Sequence, residues 1–323
     1  MLVFTNRAIN GDGTDIDHYQ DDLGFGESSE FRVLDVSNDL DVNLLGISSN
    51  QNFQIAKKAI SDFQDSQIDD KNLLVYIHGY NNSLVSSLKR CQKLEDLYGV
   101  KTMCMTWPAR RGAGNQGHTR ESLSNAKRSK SAFQAMLAVL ARTWDNSKNG
   151  ANLAIHSQGC DVYESVVQLG SSGLSHDHFF DNIMLLAGHC KLQNHRSWVT
   201  KVRPKNKVFI TVNQGDNTLR LATQIRGLTY KRLGAAKRDG IITNVPRIEY
   251  VDFDPHSSIF SEHSYFVKSL DKFEKTEPFF KAAFNGRDAG KEVFDPSGQI
   301  EGSYLWYLKR INGVHFPSSL LKK

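Results

Sequence analysis

A chain of 323 residues with 39% hydrophobic and 23% charged side chains can build one large α/β domain or two modest ones, which excludes a disordered or fibrous protein. No apolar run approaches the roughly 18–20 residues that span a bilayer. The start, MLVFTNRAINGDG, lacks the basic-then-apolar pattern of a secretory signal, so a cytoplasmic protein is expected. Cys91, Cys104, Cys160 and Cys190 form no CxxC pair, which points to reduced thiols, with Cys160 a small packing residue. The net charge of +5 hides an asymmetry: residues 11–70 carry 14 acidic and three basic side chains, whereas residues 196–238 carry 11 basic ones and a single carboxylate, Asp216. Such a segment can attract anionic ligands, phospholipid headgroups included, although a solvated basic face is the plainer reading. No zinc-finger, RRM or KH pattern is present, so no nucleic-acid partner is expected, while peripheral membrane contact stays open.

In chain order, the acidic, Gly-rich residues 10–30 read as a loop, followed by β-like runs at 31–36 and 42–47. Apolar residues at 53, 55, 56, 59, 60 and 63 have helical spacing. An alternation then begins. Residues 72–78 (NLLVYIH) form a short apolar strand, 82–98 a helix, and 100–107 (VKTMCMTW) a strand halted by Pro108. An Arg/Gly-rich loop, 108–118, leads into one long helix with Phe133, Met136, Leu137, Leu140 and Trp144 on a single stripe. Strands follow at 152–156, 182–187, 207–213 and 247–253, with helices at 159–169, 218–225 and 228–237. Strands separated by helices predict a mostly parallel sheet covered on both faces, a three-layer αβα architecture. Residues 1–70 are expected to join that sheet, 71–275 to form its core, and 276–323 to pack on it as an extension containing the aromatic cluster 304–307.

The strand 152–156 runs straight into Ser157-Gln158-Gly159 and then a helix, the context of a nucleophile elbow. The turn lifts the serine hydroxyl above the sheet, and the helix N-terminus offers a positive field to a developing oxyanion. Ile155 stands where the G-x-S-x-G pattern has a small residue, and its β-branched side chain is expected to crowd the turn. The loop His78-Gly79-Tyr80-Asn81-Asn82 closes an apolar strand two strands earlier. In this architecture that loop supplies an oxyanion N–H from Tyr80, beside that of Gln158.

LLVYIHGYNNS, MTWPARRG, LAIHSQG, VNQGDNTLRLA and VDFD…EHSYF, in this order, resemble a bacterial family of α/β-hydrolases catalogued as domain of unknown function 900. Thr5-Asn6-Arg7 resembles that family's N-terminal "TNR", and the similarity extends over roughly residues 3–270. The resemblance implies the α/β-hydrolase fold and a lipase- or esterase-like serine hydrolase. One departure is Gly188-His189-Cys190, where the family more often has an acidic residue after the strand.

A serine nucleophile needs an imidazole to take its proton and a carboxylate to fix that imidazole's tautomer. In this fold they follow in the order serine, acid, histidine. Asp216, just past the strand 207–213, is the leading acid, although Asp followed by Asn-Thr-Leu is also a good helix N-cap. Asp252 and Asp254 are alternatives. His263 follows the last strand and matches the family's "HSYF" histidine, with His256 as rival. His78, His156, Trp107 and Arg110 are expected around the substrate, and Arg110 with Arg111 raises the possibility of an anionic or phospholipid substrate. His176, His178 and His195 read as surface imidazoles. His176-x-His178 beside Asp177 and Asp181 lacks a third ligand, so no metal and no cofactor is expected. The expected activity is ester cleavage through an acyl-enzyme on a small-molecule or lipid ester. A non-catalytic binding module and a peptidase or amidase are the alternatives.

Overall fold

In chain order the computed structural model places β1 (Leu2–Thr5), β2 (Arg7–Ile9), β3 (Tyr19–Leu23), β4 (Phe31–Val36), β5 (Val42–Ser48) and α1 (Gln54–Asp65). Next come β6 (Leu73–Ile77), α2 (Leu84–Tyr98), β7 (Lys101–Thr106), α3 (Gln116–Arg128), α4 (Lys130–Thr143), β8 (Ala151–His156) and α5 (Gly159–Val167). The chain continues through β9 (Asn182–Leu186), α6 (Arg196–Val199), β10 (Lys207–Val212), α7 (Asn217–Ile225), β11 (Ile248–Asp252), α8 (Thr276–Phe284), α9 (Ala289–Val293) and β12 (Leu305–Tyr307). The structure describes residues 1–66, 70–109, 116–225, 231–236, 240–242, 244–253, 262–268, 276–293 and 305–307. Arg110, Arg111, Asp254 and His256 lie outside them.

Ten strands form one sheet in the order β12-β11-β10-β9-β8-β6-β7-β1-β4-β5. Its pairings are parallel except those of β4 with β1 and β5. The central strands are buried along their whole length, so alternate residues feed two separate cores. Leu73, Val75, Ile77, Leu153, Ile155, Ile183 and Leu185 pack under α1, α4 and α5. Leu74, Tyr76, Ala154, Met184 and Leu186 pack on the other side against Leu88, Leu94 and Tyr98 of α2 and Phe279, Phe280 and Phe284 of α8. Each large apolar side chain so buried contributes about 1.5–3 kcal/mol. The result is a three-layer αβα sandwich. After β6 the chain goes to β7 on one side and then crosses to β8 on the other. The carboxyl ends of β6 and β8 therefore flank a crevice of the kind where open α/β sheets bind ligands.

Four sequence expectations are corrected. The one long helix expected after the loop 108–118 is two, α3 and α4, which meet at Ser129, whose hydroxyl donates back to Asn125 O at 2.7 Å and accepts from Asn6 Nδ2 at 2.9 Å. The acidic stretch 10–30 is not all loop: β3 pairs antiparallel with β2, with Tyr19 turned inward. The helix expected at 228–237 is reduced, in its described part 231–236, to a single 3-10 turn at Leu233–Ala235. There Gly234 N donates to Gly188 O (2.8 Å) and Asn213 N to Gly234 O (2.7 Å), so the segment is laced to the ends of β9 and β10. A Cβ on Gly234 would lie 2.5 Å from the Ala187 backbone, so this close approach requires a glycine. Finally, β11 is not the last strand, because Leu305–Tyr307 of the expected extension adds β12 beside it. Among the described residues no helix is long and apolar enough to cross a membrane.

Candidate active site

β8 stays in register with β9 as far as His156, opposite Leu186, and the chain then turns sharply. Ser157 has φ +53°, a left-handed conformation that costs a non-glycine residue about 1–2 kcal/mol. The turn is held by Ser157 N to Leu186 O (2.8 Å), Cys160 N to Ser157 O (3.0 Å) and His189 N to Ser157 O (3.0 Å). Ile155, where crowding is expected, turns its side chain into the core. It is fully buried in the same core as Val162, Val166 and Val167 of α5, and close approaches fall on two glycines. A Cβ on Gly79 would sit 2.7 Å from Ser157 Cβ, and one on Gly159 would sit 2.7 Å from His78 O. The loop after β6 is thereby pressed onto the serine, and the start of α5 onto the end of β6.

Asp216 makes both of the contacts considered for it. Its Oδ1 accepts from Leu219 N at 2.9 Å, capping α7, and its Oδ2 meets His263 Nδ1 at 2.6 Å. The Asp216 side chain is fully buried and that of His263 is 15% exposed. A carboxylate on Nδ1 places the imidazole proton there and leaves Nε2 as the basic nitrogen. The loop carrying His263 is tied down by Asn213 Nδ2, which donates to Glu262 O at 3.0 Å. His156 Nε2 donates to His263 O at 3.3 Å, and the two rings lie 4.8 Å apart. Burial, then the proximity of His263, holds His156 well below the usual imidazole pKa, so it stays neutral beside its partner. Its role is to brace His263. Among the described residues no hydrogen bond joins Ser157 Oγ to His263. Asp252, the alternative acid, is buried at the end of β11 and is not the partner of His263 Nδ1.

The opposite wall is the loop after β6. His78 is fully buried and stacks on Trp107 with ring centroids 5.5 Å apart. Its Nε2 faces Thr106 Oγ1 (2.8 Å) and accepts from Trp107 N (3.2 Å), and its Nδ1 donates to Gly79 O (2.9 Å). Burial, then the Arg7 charge, lowers its pKa to about 3. Trp107 Nε1 in turn donates to His78 O at 2.9 Å. Both side chains are 0% exposed, so the contact with substrate expected of them gives way to bracing the loop from below. Asn82 Nδ2 donates to Tyr80 O (2.8 Å) and Gly79 O (3.2 Å). In a trans peptide the C=O and N–H point in opposite directions. Holding Gly79 O back on His78 and Asn82 therefore turns the Tyr80 N–H the other way. Gln158 is the N-cap residue of α5, and its side chain accepts from Ser122 Oγ at 2.6 Å.

Two features were not read from the sequence. His189 Nδ1 meets Asp161 Oδ2 at 2.7 Å, a second buried histidine–carboxylate pair one turn into α5. Only the unusual Gly188-His189-Cys190 signalled it. Arg7 is the other, a fully buried guanidinium under the loop after β6. The readings of His176 and His195 as surface imidazoles are corrected. His176 pairs with Tyr163 Oη at 2.8 Å and His195 with Tyr250 Oη at 2.6 Å, both in the interior, and only His178 is exposed. Cys160 is fully buried, as are the other three cysteines. Among the described residues no cluster of three or more His, Cys, Asp or Glu has the arrangement of a metal site.

A parallel sheet covered on both faces, with a strained serine between strand and helix and a histidine–aspartate pair on later strand ends, defines an α/β hydrolase. More particularly, the chain belongs to the family described as alpha/beta hydrolase of unknown function (DUF900), whose model matches residues 55–269. No curated protein matches the chain. Arg7 and β1–β5 precede the matched region.

Proposed function

We propose that this protein is a serine hydrolase that cleaves carboxylic esters through an acyl-enzyme. The observation that carries the proposal is the 2.6 Å His263–Asp216 pair, its ring 4.8 Å from that of the residue preceding a left-handed Ser157. Ser157 Oγ attacks the ester carbonyl carbon and gives its proton to His263 Nε2. Asp216 holds the tautomer and stabilises the imidazolium. The N–H groups of Gln158 and Tyr80 take the oxyanion. Collapse breaks the acyl–oxygen bond, and His263 returns the proton to the departing alcohol. Water, deprotonated by the same histidine, then frees the acid and regenerates Ser157.

Turnover of p-nitrophenyl butyrate by wild type, Ser157→Ala and His263→Ala tests the proposal. Activity in wild type alone is expected, and equal turnover in all three would contradict it. The open Ser157–His263 contact favours a second reading, a binding module without catalysis, which predicts no turnover in any of them. Matched ester and anilide substrates separate an esterase from an amidase using the same residues.

A further inference from the structure

We infer that Arg7, outside the matched hydrolase region, is a positioning residue that sets the oxyanion hole through a relay ending at the Tyr80 N–H. The inference rests on the serine hydrolase reading and assigns its oxyanion half to a residue of the N-terminal segment.

Arg7 opens β2 and is fully buried. Its guanidinium is bound on two sides. On the N-terminal side Nη1 donates to Gln20 O (3.2 Å) and pairs with Asp21, both on β3. On the hydrolase side Nε donates to Thr106 Oγ1 (3.0 Å), and Nη2 donates to Asn82 O (2.8 Å) and faces His78 Nε2 at 3.5 Å. A guanidinium has only donors, and it keeps its charge when buried.

That one-way chemistry fixes every later proton. Thr106 Oγ1 accepts from Arg7 Nε, so the threonine hydroxyl hydrogen is directed to its other close partner, His78 Nε2, at 2.8 Å. Trp107 N also donates to that nitrogen. His78 Nε2 is thus an acceptor, and the ring proton resides on Nδ1. From there it is donated to Gly79 O at 2.9 Å. With Gly79 O drawn back, the Tyr80 N–H of the same peptide faces away from it. A second branch reinforces the first: Arg7 holds Asn82 O, and Asn82 Nδ2 holds Gly79 O and Tyr80 O. Gly79 itself lies against Ser157, within 2.7 Å of its Cβ if it bore one of its own. A rotation of that peptide would therefore act directly on the reacting centre.

The test uses the full-length protein with p-nitrophenyl butyrate as substrate and an alkyl trifluoromethyl ketone as the tetrahedral mimic. The variants are Arg7→Met, Arg7→Lys, Thr106→Val and Thr106→Ser, each titrated with a fluorophosphonate to count active sites. Misplacing a group at the reacting centre costs on the order of 100-fold. Arg7→Met and Thr106→Val should lose about 10- to 100-fold in kcat/KM and bind the trifluoromethyl ketone more weakly by the same factor. KM for the ester should change little. Thr106→Ser, which keeps the hydroxyl, should restore both quantities, and Arg7→Lys should fall between. A folding defect would lower the count of active sites but leave the ketone affinity of the remaining ones unchanged. Nitrogen-15 NMR of wild type should show His78 protonated on Nδ1. Unchanged ketone affinity in Thr106→Val, or a proton on His78 Nε2, would overturn the inference while leaving the serine hydrolase reading intact. A wild type inert to both fluorophosphonate and ester would remove that reading, and the inference with it.

Discussion

Gly79 shows how little freedom the site leaves at single residues. A methyl group there would meet Ser157 Cβ at 2.7 Å and His156 O at 3.1 Å, and neither can retreat. Gly79→Ala should cost about 1–3 kcal/mol of stability by overpacking, read as a lowered urea midpoint, with a fall in esterase activity. Asp216 permits a cleaner separation. Asparagine caps helices as well as aspartate does, so Asp216→Asn should retain the bond to Leu219 N and melt close to wild type. It should nevertheless lose about 10⁴-fold in kcat, because an amide does not hold the tautomer that leaves His263 Nε2 basic. Loss of activity and melting temperature together would assign Asp216 to structure alone. The Asp216–His263 contact was legible in the sequence, because Asp216 follows a run recognisable as a buried strand and His263 lies in the Glu262-His263-Ser264-Tyr265 stretch after the next one. Arg7 stood out only as part of Thr5-Asn6-Arg7; its burial and contacts were not legible, because its partners Asn82 and Thr106 lie 75 and 99 residues away.

At the scale of elements, apolar runs located the central strands to within a residue or two, since a strand buried on both faces must be apolar throughout. Short pieces defined by pairing alone were illegible. β12 has three residues and exists because β11 offers an edge, and the turn at Leu233–Ala235 follows from hydrogen bonds to strand ends far away in the chain. The Asp161–His189 pair joins α5 to the turn after β9, where Ala187 also has a left-handed φ of +46°. It spans 28 residues and leaves no local signature beyond the run Gly188-His189-Cys190. Asp161→Asn weakens a buried charge-assisted hydrogen bond, worth about 1.5–3 kcal/mol. A fall in the urea midpoint of that order is expected, and an unchanged midpoint would show that the pair does not hold the turn.

For the whole molecule, the balance of buried titratable groups sets the response to acid. Burial, with Arg7 second, holds His78 at about 3, burial holds His176 at about 4, and His156 is also driven far down. Unfolded, each binds a proton near pH 6.5; folded, it does not. Stability therefore falls as pH drops below about 6.5, by up to about 1.4 kcal/mol per pH unit for each histidine. Glu164 has the opposite sign. Burial and then Asp161 raise it to about 7, so its contribution is present below about 4.5 and lost as pH rises through 7. Three groups outweigh one, and the urea midpoint should be lower at pH 5.5 than at pH 7.5. His176→Asn should reduce that difference, and a higher midpoint at pH 5.5 would contradict the assignment. The sequence displayed the charge asymmetry but not its disposition. Arg232, within the basic stretch, is 1% exposed and donates to His189 O and Ala222 O, so part of that charge is structural rather than a solvated face.

The central claim is that Ser157 is an activated nucleophile. Intact-mass spectrometry after incubation with a fluorophosphonate, followed by peptide mapping, tests it most directly. One adduct on the peptide containing Ser157 in wild type, and none in Ser157→Ala, is the predicted result. No adduct on wild type, or the same adduct on Ser157→Ala, would contradict it.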